Sequence, residues 1–85
     1  MPEERIGKVA NFFSKINVAA IELDNGDLKI GDKLKFKGST TDFEQIIDSM
    51  QIDRISVDKA EKGSAVGIKV ADRTRAGDLV YKIIE

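Results

Sequence analysis

The sequence contains neither cysteine nor histidine among its 85 residues. Without them the chain cannot form a Cys/His zinc site, a thiol nucleophile or a Ser-His-Asp arrangement. No side chain with an ordinary pKa near neutrality is left, so acid–base catalysis would require a strongly shifted carboxylate or lysine. The composition therefore predicts a non-catalytic chain that holds no metal and no cofactor.

An excess of charge and a long apolar run are missing too. The formal net charge is −1, whereas a general nucleic-acid-binding domain usually has a clear positive excess, although a local basic face is still allowed. The longest apolar run, residues 18–21, is far too short to cross a bilayer. The charged start MPEER has no apolar segment of a signal peptide after it. These features predict a soluble, cytoplasmic protein that has no membrane contact.

The length and the amino-acid balance predict one folded domain over residues 1–85. Hydrophobic residues make up 41% and charged residues 34%, which is typical of a globular chain and not of a disordered one. A domain of this size buries a modest core, roughly 60–65% of the surface of its unfolded chain. Asn and Gln are scarce while Lys, Glu and Asp are frequent, a bias that is typical of thermophile proteins.

Apolar and polar residues alternate along most of the chain, and this pattern predicts an all-β fold. In residues 33–37, for example, Leu34 and Phe36 should face inward while three lysines face outward. Further strands are predicted over residues 6–13, 18–23, 66–70 and 79–84. The predicted structural turn residues between them are Gly26, Gly31, Asp32, Gly63, Gly67 and Gly77.

Residues 41–50 fit two structures. Phe43, Ile46, Ile47 and Met50 have the spacing of one face of a helix, and a capping-box pattern begins at Thr41. A strand with a bulge would bury the same residues by another route. The local pattern alone favours the helix.

The stretch GDLKIGDK at residues 26–33 has the two glycines of a phosphate-binding loop. However, Asp32 stands at the position of the loop's lysine, and Lys33 comes one residue late. The alternating residues after Gly31 predict a strand, whereas the phosphate-binding loop leads into a helix. Two turn glycines around a short connection explain the stretch better, so we predict that this chain alone binds no nucleotide.

Two other features could contact a partner. Lys33, Lys35 and Lys37 would share one strand face at about 7 Å spacing, which suits either a phosphate backbone or an ordinary solvated strand. Phe12 and Phe13 are adjacent, so on a strand one should enter the core while the other covers an end of the fold or lies exposed.

Several blocks together resemble the β-barrel second domain of elongation factor Tu and other translational GTPases. The resemblance covers nearly the whole chain in order, and it rests on Ile6-Gly7-Lys8-Val9, on Gly26, Leu28, Ile30, Gly31, Asp32, Leu34 and Phe36, on Ala60, Gly63, Val66, Gly67 and Ile68, and on Gly77, Asp78, Leu79 and Val80. It implies a small closed antiparallel β-barrel of six to seven strands of the translation-protein type. Residues 41–52 are even closer to the small C-terminal barrel of collagenase-like peptidases. Both resemblances imply a strand over residues 41–50, and we therefore predict a strand there.

The two resemblances imply different partners. The first implies an RNA-, tRNA- or ribosome-associated binding module, although Gln51 stands where the tRNA-carrying factors usually have an acidic residue. A GTPase partner would also fit this first resemblance. The second resemblance implies an accessory or protein-interaction barrel that docks to a larger enzyme, such as a peptidase. In neither family does the barrel itself carry the catalytic residues. The residues predicted to contact RNA are Lys33, Lys35, Lys37, Gln51, Arg54, Arg73 and Arg75.

Overall fold

The computed structural model of the protein describes residues 3–84, and this part of the chain is all-β. It contains ten strands and no helix: β1 (Glu3–Phe13), β2 (Val18–Leu23), β3 (Leu28–Lys29), β4 (Lys33–Lys37), β5 (Asp42–Ile46), β6 (Met50–Ile52), β7 (Ile55–Val57), β8 (Lys59–Ala60), β9 (Ala65–Lys69) and β10 (Leu79–Ile83). The all-β prediction is confirmed. The predicted count of six to seven strands is too low, because β3, β6, β7 and β8 are only two or three residues long.

The strands form one large sheet and one small one. Eight strands pair in the order β5-β4-β10-β1-β2-β9-β6-β7, and β3 pairs with β8. All of these pairs are antiparallel. The pairing of residues 3–84 leaves β5 and β7 as edges, so the hydrogen bonds do not form the closed barrel that we predicted.

A central apolar core is built by the inward residues of the alternating strands. Leu34 and Phe36 on β4 are fully buried, as predicted, and they belong to the same core cluster as Ala19, Ile21 and Leu23 on β2. Burying one such aliphatic or aromatic side chain stabilises a fold by about 1.5–3 kcal/mol. The alternating pattern therefore determines which face of each long strand supplies the core.

Residues 41–50 form strand and not helix. Asp42–Ile46 is β5, and Met50 begins β6, where it pairs with Ile68 of β9. Phe43 stacks on Phe36 across the β4–β5 pair, with ring centroids 4.9 Å apart. A helix would bury Ile46 together with Ile47, but Ile46 is 57% exposed and Ile47 only 1%. The tertiary contacts of Phe43 and Met50 thus override the local helical spacing.

The GDLKIGDK stretch is a strand connection. The Asp32 carboxylate accepts a hydrogen bond from the backbone N–H of Lys29 (3.0 Å) and forms an ion pair with the Lys82 ammonium (3.4 Å). Gly31 has φ +96°, a backbone conformation that residues with a Cβ rarely adopt, and the following residues form β4. Asp32 therefore closes the turn at the position where a phosphate-binding loop carries its lysine.

The remaining predicted turn residues divide into two groups. Gly26, Gly63 and Gly77 also have positive φ and lie between strands. Gly67 does not, because it lies inside β9 opposite Ala20 of β2. The prediction of a turn at Gly67 is therefore wrong, and the alternation of Val66 and Ile68 around it already indicated a strand.

A side chain joins the edge strand β5 to the end of β9. The Gln45 Nε2 group donates to the carbonyl oxygen of Lys69 (2.9 Å), and its Oε1 accepts from the N–H of Ala71 (2.7 Å). The amide of Gln45 thereby makes the two bonds that a neighbouring strand's backbone would make. We call the gap that it bridges, between β5 and residues 69–71, the seam.

Candidate interaction surfaces

The lysines of β4 lie among an equal number of carboxylates. Lys33 forms an ion pair with Glu44 (3.4 Å), Lys35 with Glu3 (3.2 Å), and Lys37 lies opposite Asp42 in the β4–β5 register. The hydrogen bond and the charge of Glu3 raise the pKa of Lys35 above its ordinary value. We name this set of residues the β4 stripe. Because its charges balance, it is a weak platform for a phosphate backbone.

The seven residues predicted to contact RNA lie in three separate places. Lys33, Lys35 and Lys37 are on β4, while Gln51 is on β6 and Arg54 in the β6–β7 turn. Arg73 and Arg75 lie in the loop between β9 and β10. The structure therefore brings Gln51 and Arg54 together, and it brings Arg73 and Arg75 together, but it does not join all seven into one surface.

The loop of Arg73 and Arg75 borders a polar depression of about 360 Å³. Asp42 and Asp72 line the same depression, so cations and carboxylates share it. One hydrogen bond anchors the loop to the fold, because the carboxylate of the buried Asp78 accepts it from the backbone N–H of Arg75 (2.8 Å). This depression is a formed surface, but its charge is mixed.

A more apolar surface lies beside the β1–β2 hairpin. Phe13 is 46% exposed and Ile16 60% exposed, whereas Phe12 packs against the core, in agreement with the prediction that the two aromatics separate. Phe13 and Ile16, together with Val18, Ala20 and Gly67, line a groove of about 320 Å³, which we call the hairpin groove. Gln51, Asp53 and Arg54 stand at its rim.

Ile16 was not predicted from the sequence. It is the one apolar residue in the loop at residues 14–17, and an isolated apolar residue in a polar loop is the signal that could have identified it. Lys15 and Lys69, which border adjoining depressions of about 390 and 250 Å³, were also missed. Their distance in the sequence hid that the fold places them around one groove.

Two chemical features of the described residues bear on catalysis and on membranes. No group of three or more Asp or Glu residues within residues 3–84 is arranged to hold a metal ion. The same part of the chain has no helix, and hence none with the length and apolarity that a membrane crossing requires.

Comparison with curated proteins finds peptidases. Over 81 residues the chain is 47% identical to an uncharacterised protease of Methanocaldococcus jannaschii, a match that covers 94% of this chain and 20% of that protein. It is 33% identical over 78 residues to a collagenase of Porphyromonas gingivalis, covering 91% of this chain and 22% of the relative. The chain thus spans about one fifth of the length of the curated relatives that it matches. No protein-family profile matches it.

Comparison with solved structures identifies the fold. The chain superposes on the C-terminal domain of a protein from Geobacillus thermoleovorans, provisionally assigned as a U32 peptidase, with a TM-score of 0.87 at 20% identity, over 95% of this chain and 93% of that one. A selenomethionine variant of the same domain gives a TM-score of 0.84, also at 20% identity, over 91% and 96% of the two chains. The chain shares its fold with that domain.

These relatives support one of the two resemblances. The similarity to collagenase-like peptidases is confirmed by the curated relatives and by the fold. The similarity to the second domain of elongation factor Tu gains no support from them. The reading as an accessory domain of a peptidase is therefore better supported than the reading as an RNA-binding module.

Proposed function

We propose that this chain is a non-catalytic accessory domain, acting as a single unit, that docks onto a larger peptidase-like enzyme. The observation that carries the proposal is the 47% identity to one fifth of an archaeal protease, over 94% of this chain. The relative with a solved structure is itself a C-terminal domain. A segment that recurs in longer relatives named as proteases, and that shares the fold of such a C-terminal domain, is suited to contact the rest of such an enzyme.

The chemistry of the chain supports a role without catalysis. The sequence has no histidine or cysteine, so a nucleophile–base pair would have to come from carboxylates, lysines and hydroxyls alone. The lysines of the β4 stripe lie beside carboxylates, and Glu3 raises the pKa of Lys35, whereas a catalytic lysine needs a lowered pKa. Binding and positioning are the functions that these side chains can serve.

We also infer that the fold is a variant of the translation-protein barrel with the seam bridged by a side chain. In support, the eight-stranded sheet curves around one core, and Gln45 supplies two hydrogen bonds where its two halves approach.

RNA binding stays a prediction, which the titration described next tests with ribosomal RNA fragments. The residues predicted to contact RNA are Lys33, Lys35, Lys37, Gln51, Arg54, Arg73 and Arg75.

A titration tests the docking proposal. The ¹⁵N-labelled chain is mixed with the M. jannaschii protease from which the matching segment of 81 residues has been removed, after a cooperative thermal transition has shown that this remainder is folded. We expect amide signals of one contiguous surface to shift or broaden, and sedimentation to give a one-to-one complex. Unchanged spectra and free sedimentation of both proteins would contradict the proposal, as would tighter binding to ribosomal RNA fragments.

A further inference from the structure

The hairpin groove is lined by half-buried and by exposed apolar residues. We call the half-buried Val18, Ala20 and Gly67 its floor, and the exposed Phe13 and Ile16 its walls. Gly67 has no side chain, and a Cβ there would lie in ordinary contact with the Val18 Cγ1 atom, at 3.4 Å. An exposed apolar surface of this kind, rimmed by polar residues, is typical of a site that contacts another molecule.

The rim of the groove is positive although the whole chain is negative. Lys15, Arg54 and Lys69 border the groove and its adjoining depressions, against the single carboxylate of Asp53. Within residues 3–84 none of the three cations has a carboxylate oxygen within 4.0 Å. The β4 stripe, by contrast, neutralises its lysines locally. The groove therefore presents positive charge that is not already used inside the fold.

Arg54 holds its place at the rim in an unfavourable backbone conformation. Its φ is +65°, in the left-handed region, and that of Asp53 is +52°. Hairpin turns of this type favour Asn-Gly or Asp-Gly, so glycine would fit position 54 without strain. Strained residues of this kind cluster at sites where a side chain is needed for a function.

We propose that the hairpin groove binds a segment of the partner enzyme that presents an apolar side chain next to carboxylates. The apolar side chain would lie on the floor between Phe13 and Ile16, and the carboxylates would pair with Arg54, Lys15 or Lys69. This inference rests on the proposed docking function and names the surface that performs it. Charge complementarity selects the occupant, because an acidic segment meets a rim with three cations and one anion.

Two other occupants fit the groove less well. A second copy of the chain would bring the same positive rim against itself in a two-fold contact, which is repulsive. Single-stranded RNA is bound by stacking successive bases on aromatic side chains. Among residues 3–84, Phe13 is the only aromatic residue that lines the groove, so successive bases would have no second ring to stack on. Both occupants become arms of the test.

Peptide titrations test the chemistry of the occupant. The ¹⁵N-labelled chain is titrated with a capped hexapeptide in which leucine alternates with glutamate, and with matched peptides that carry lysine for glutamate or serine for leucine. A hexauridylate and a dilution series of the chain alone complete the set. We expect only the leucine–glutamate peptide to shift the amides of Ile16, Arg54 and Gly67, with weaker binding at high ionic strength. Equal shifts from a matched peptide, tighter binding of the RNA, concentration-dependent self-association, or no shift at all would overturn the proposal.

Variants connect the groove to docking on the enzyme remainder. Ile16→Ser and Arg54→Gly should each weaken binding of that remainder about tenfold, the loss that one well-placed contact produces. Arg54→Lys should retain most of the affinity because the charge stays, and Ile46→Ser serves as a control because Ile46 is comparably exposed but lies on β5. If the wild-type chain binds and all four variants bind equally well, the groove is the wrong surface while the docking function stands. If the wild-type chain does not bind, the docking function itself is wrong.

Discussion

At the scale of single residues, backbone conformation and close approach decide what each position tolerates. Arg54 is one case, since its side chain stands at the hairpin groove while its φ of +65° suits glycine. Gly7 and Gly67 form another, because both lie inside strands but only at Gly7 would a Cβ overlap a backbone atom of a neighbouring strand.

Arg54→Gly should stabilise the fold. A residue with a Cβ costs roughly 1–2 kcal/mol in the left-handed region, and glycine removes that cost while adding some freedom to the unfolded chain. We expect a net gain of about 1 kcal/mol, measured as a higher urea midpoint. Asp53→Gly is the matched control with a smaller gain, because aspartate tolerates this conformation better. A lower midpoint for Arg54→Gly would show that its side chain stabilises the fold itself.

The two strand glycines should respond oppositely to alanine. A Cβ on Gly7 would overlap the backbone carbonyl oxygen of Glu22 on the paired strand β2, which cannot move without breaking the pair. We expect Gly7→Ala to lower the free energy of unfolding by about 2 kcal/mol or more. Gly67→Ala meets only ordinary contacts, the nearest at 3.4 Å, and should be neutral or stabilising by up to about 1 kcal/mol. Thermal unfolding of the two variants gives the comparison, and equal losses would contradict the geometry.

At the scale of elements, the long alternating strands could be predicted from the sequence while the short ones could not. In β2, β4 and β9 the alternation extends over five or six residues, and in β4 it correctly predicted that Leu34 and Phe36 face inward. β3 and β8 have two residues each, too few to show any period. They pair with each other because the rest of the fold holds them opposite one another.

Ile46 and Ile47 distinguish the strand from the helix that the local pattern favours. Ile46→Ala should change the free energy of unfolding by less than about 0.5 kcal/mol, since surface substitutions have little effect. Ile47→Ala should cost about 2–5 kcal/mol, because it empties a fully buried site. Urea denaturation measures both, and similar losses at the two positions would favour a helix over residues 41–50.

Gln45 should behave as a structural bridge across the seam. Gln45→Ala leaves the carbonyl of Lys69 and the N–H of Ala71 without this partner, at an expected cost of about 1–2 kcal/mol. Hydrogen exchange of the Ala71 amide should accelerate in the variant. Gln51→Ala, which removes the same side chain from an exposed position on β6, should leave both stability and that exchange rate nearly unchanged. An unchanged Ala71 exchange rate in Gln45→Ala would show that the bridge does not hold the seam.

At the scale of the whole molecule, charge is distributed so that one face is neutral and another is positive. The sequence could indicate that Lys33, Lys35 and Lys37 share a face, but it could not indicate that Glu3, Asp42 and Glu44 come to lie beside them from other strands. The hairpin groove escaped prediction for the same reason, since β1–β2, β6–β7 and β9 contribute to it from distant parts of the chain. Long-range pairing, which no local period encodes, created both surfaces.

Removing the carboxylates should turn the β4 stripe into an RNA-binding face. In the triple variant Glu3→Gln, Asp42→Asn, Glu44→Gln, three lysines would lose their neighbouring negative charges. We expect at least about tenfold tighter binding of an oligouridylate than in the wild type, with a salt slope near −2, as about three phosphate contacts would give. A control triple variant, Glu22→Gln, Asp58→Asn, Glu61→Gln, carries the same charge change elsewhere and should gain less affinity for the oligouridylate. Fluorescence anisotropy measures the affinity of both variants. Equal gains in the two variants would show that total charge matters and its placement does not.

The pairing of β1 with β10 also determines how the domain would respond to a mechanical load. Glu3 lies opposite Ile83 in an antiparallel register, so the two ends of the described chain leave the sheet side by side. A force that pulls these ends apart acts along the hydrogen bonds and opens them one pair at a time, starting at Glu3 and Ile83. After the first three pairs the opening reaches the bulge between Arg5 and Gly7, where the register shifts and the ladder is already interrupted. Tension on the two ends would therefore separate β1 from β10 from the ends inward, and it would uncover the buried Ile6 and Val80 early.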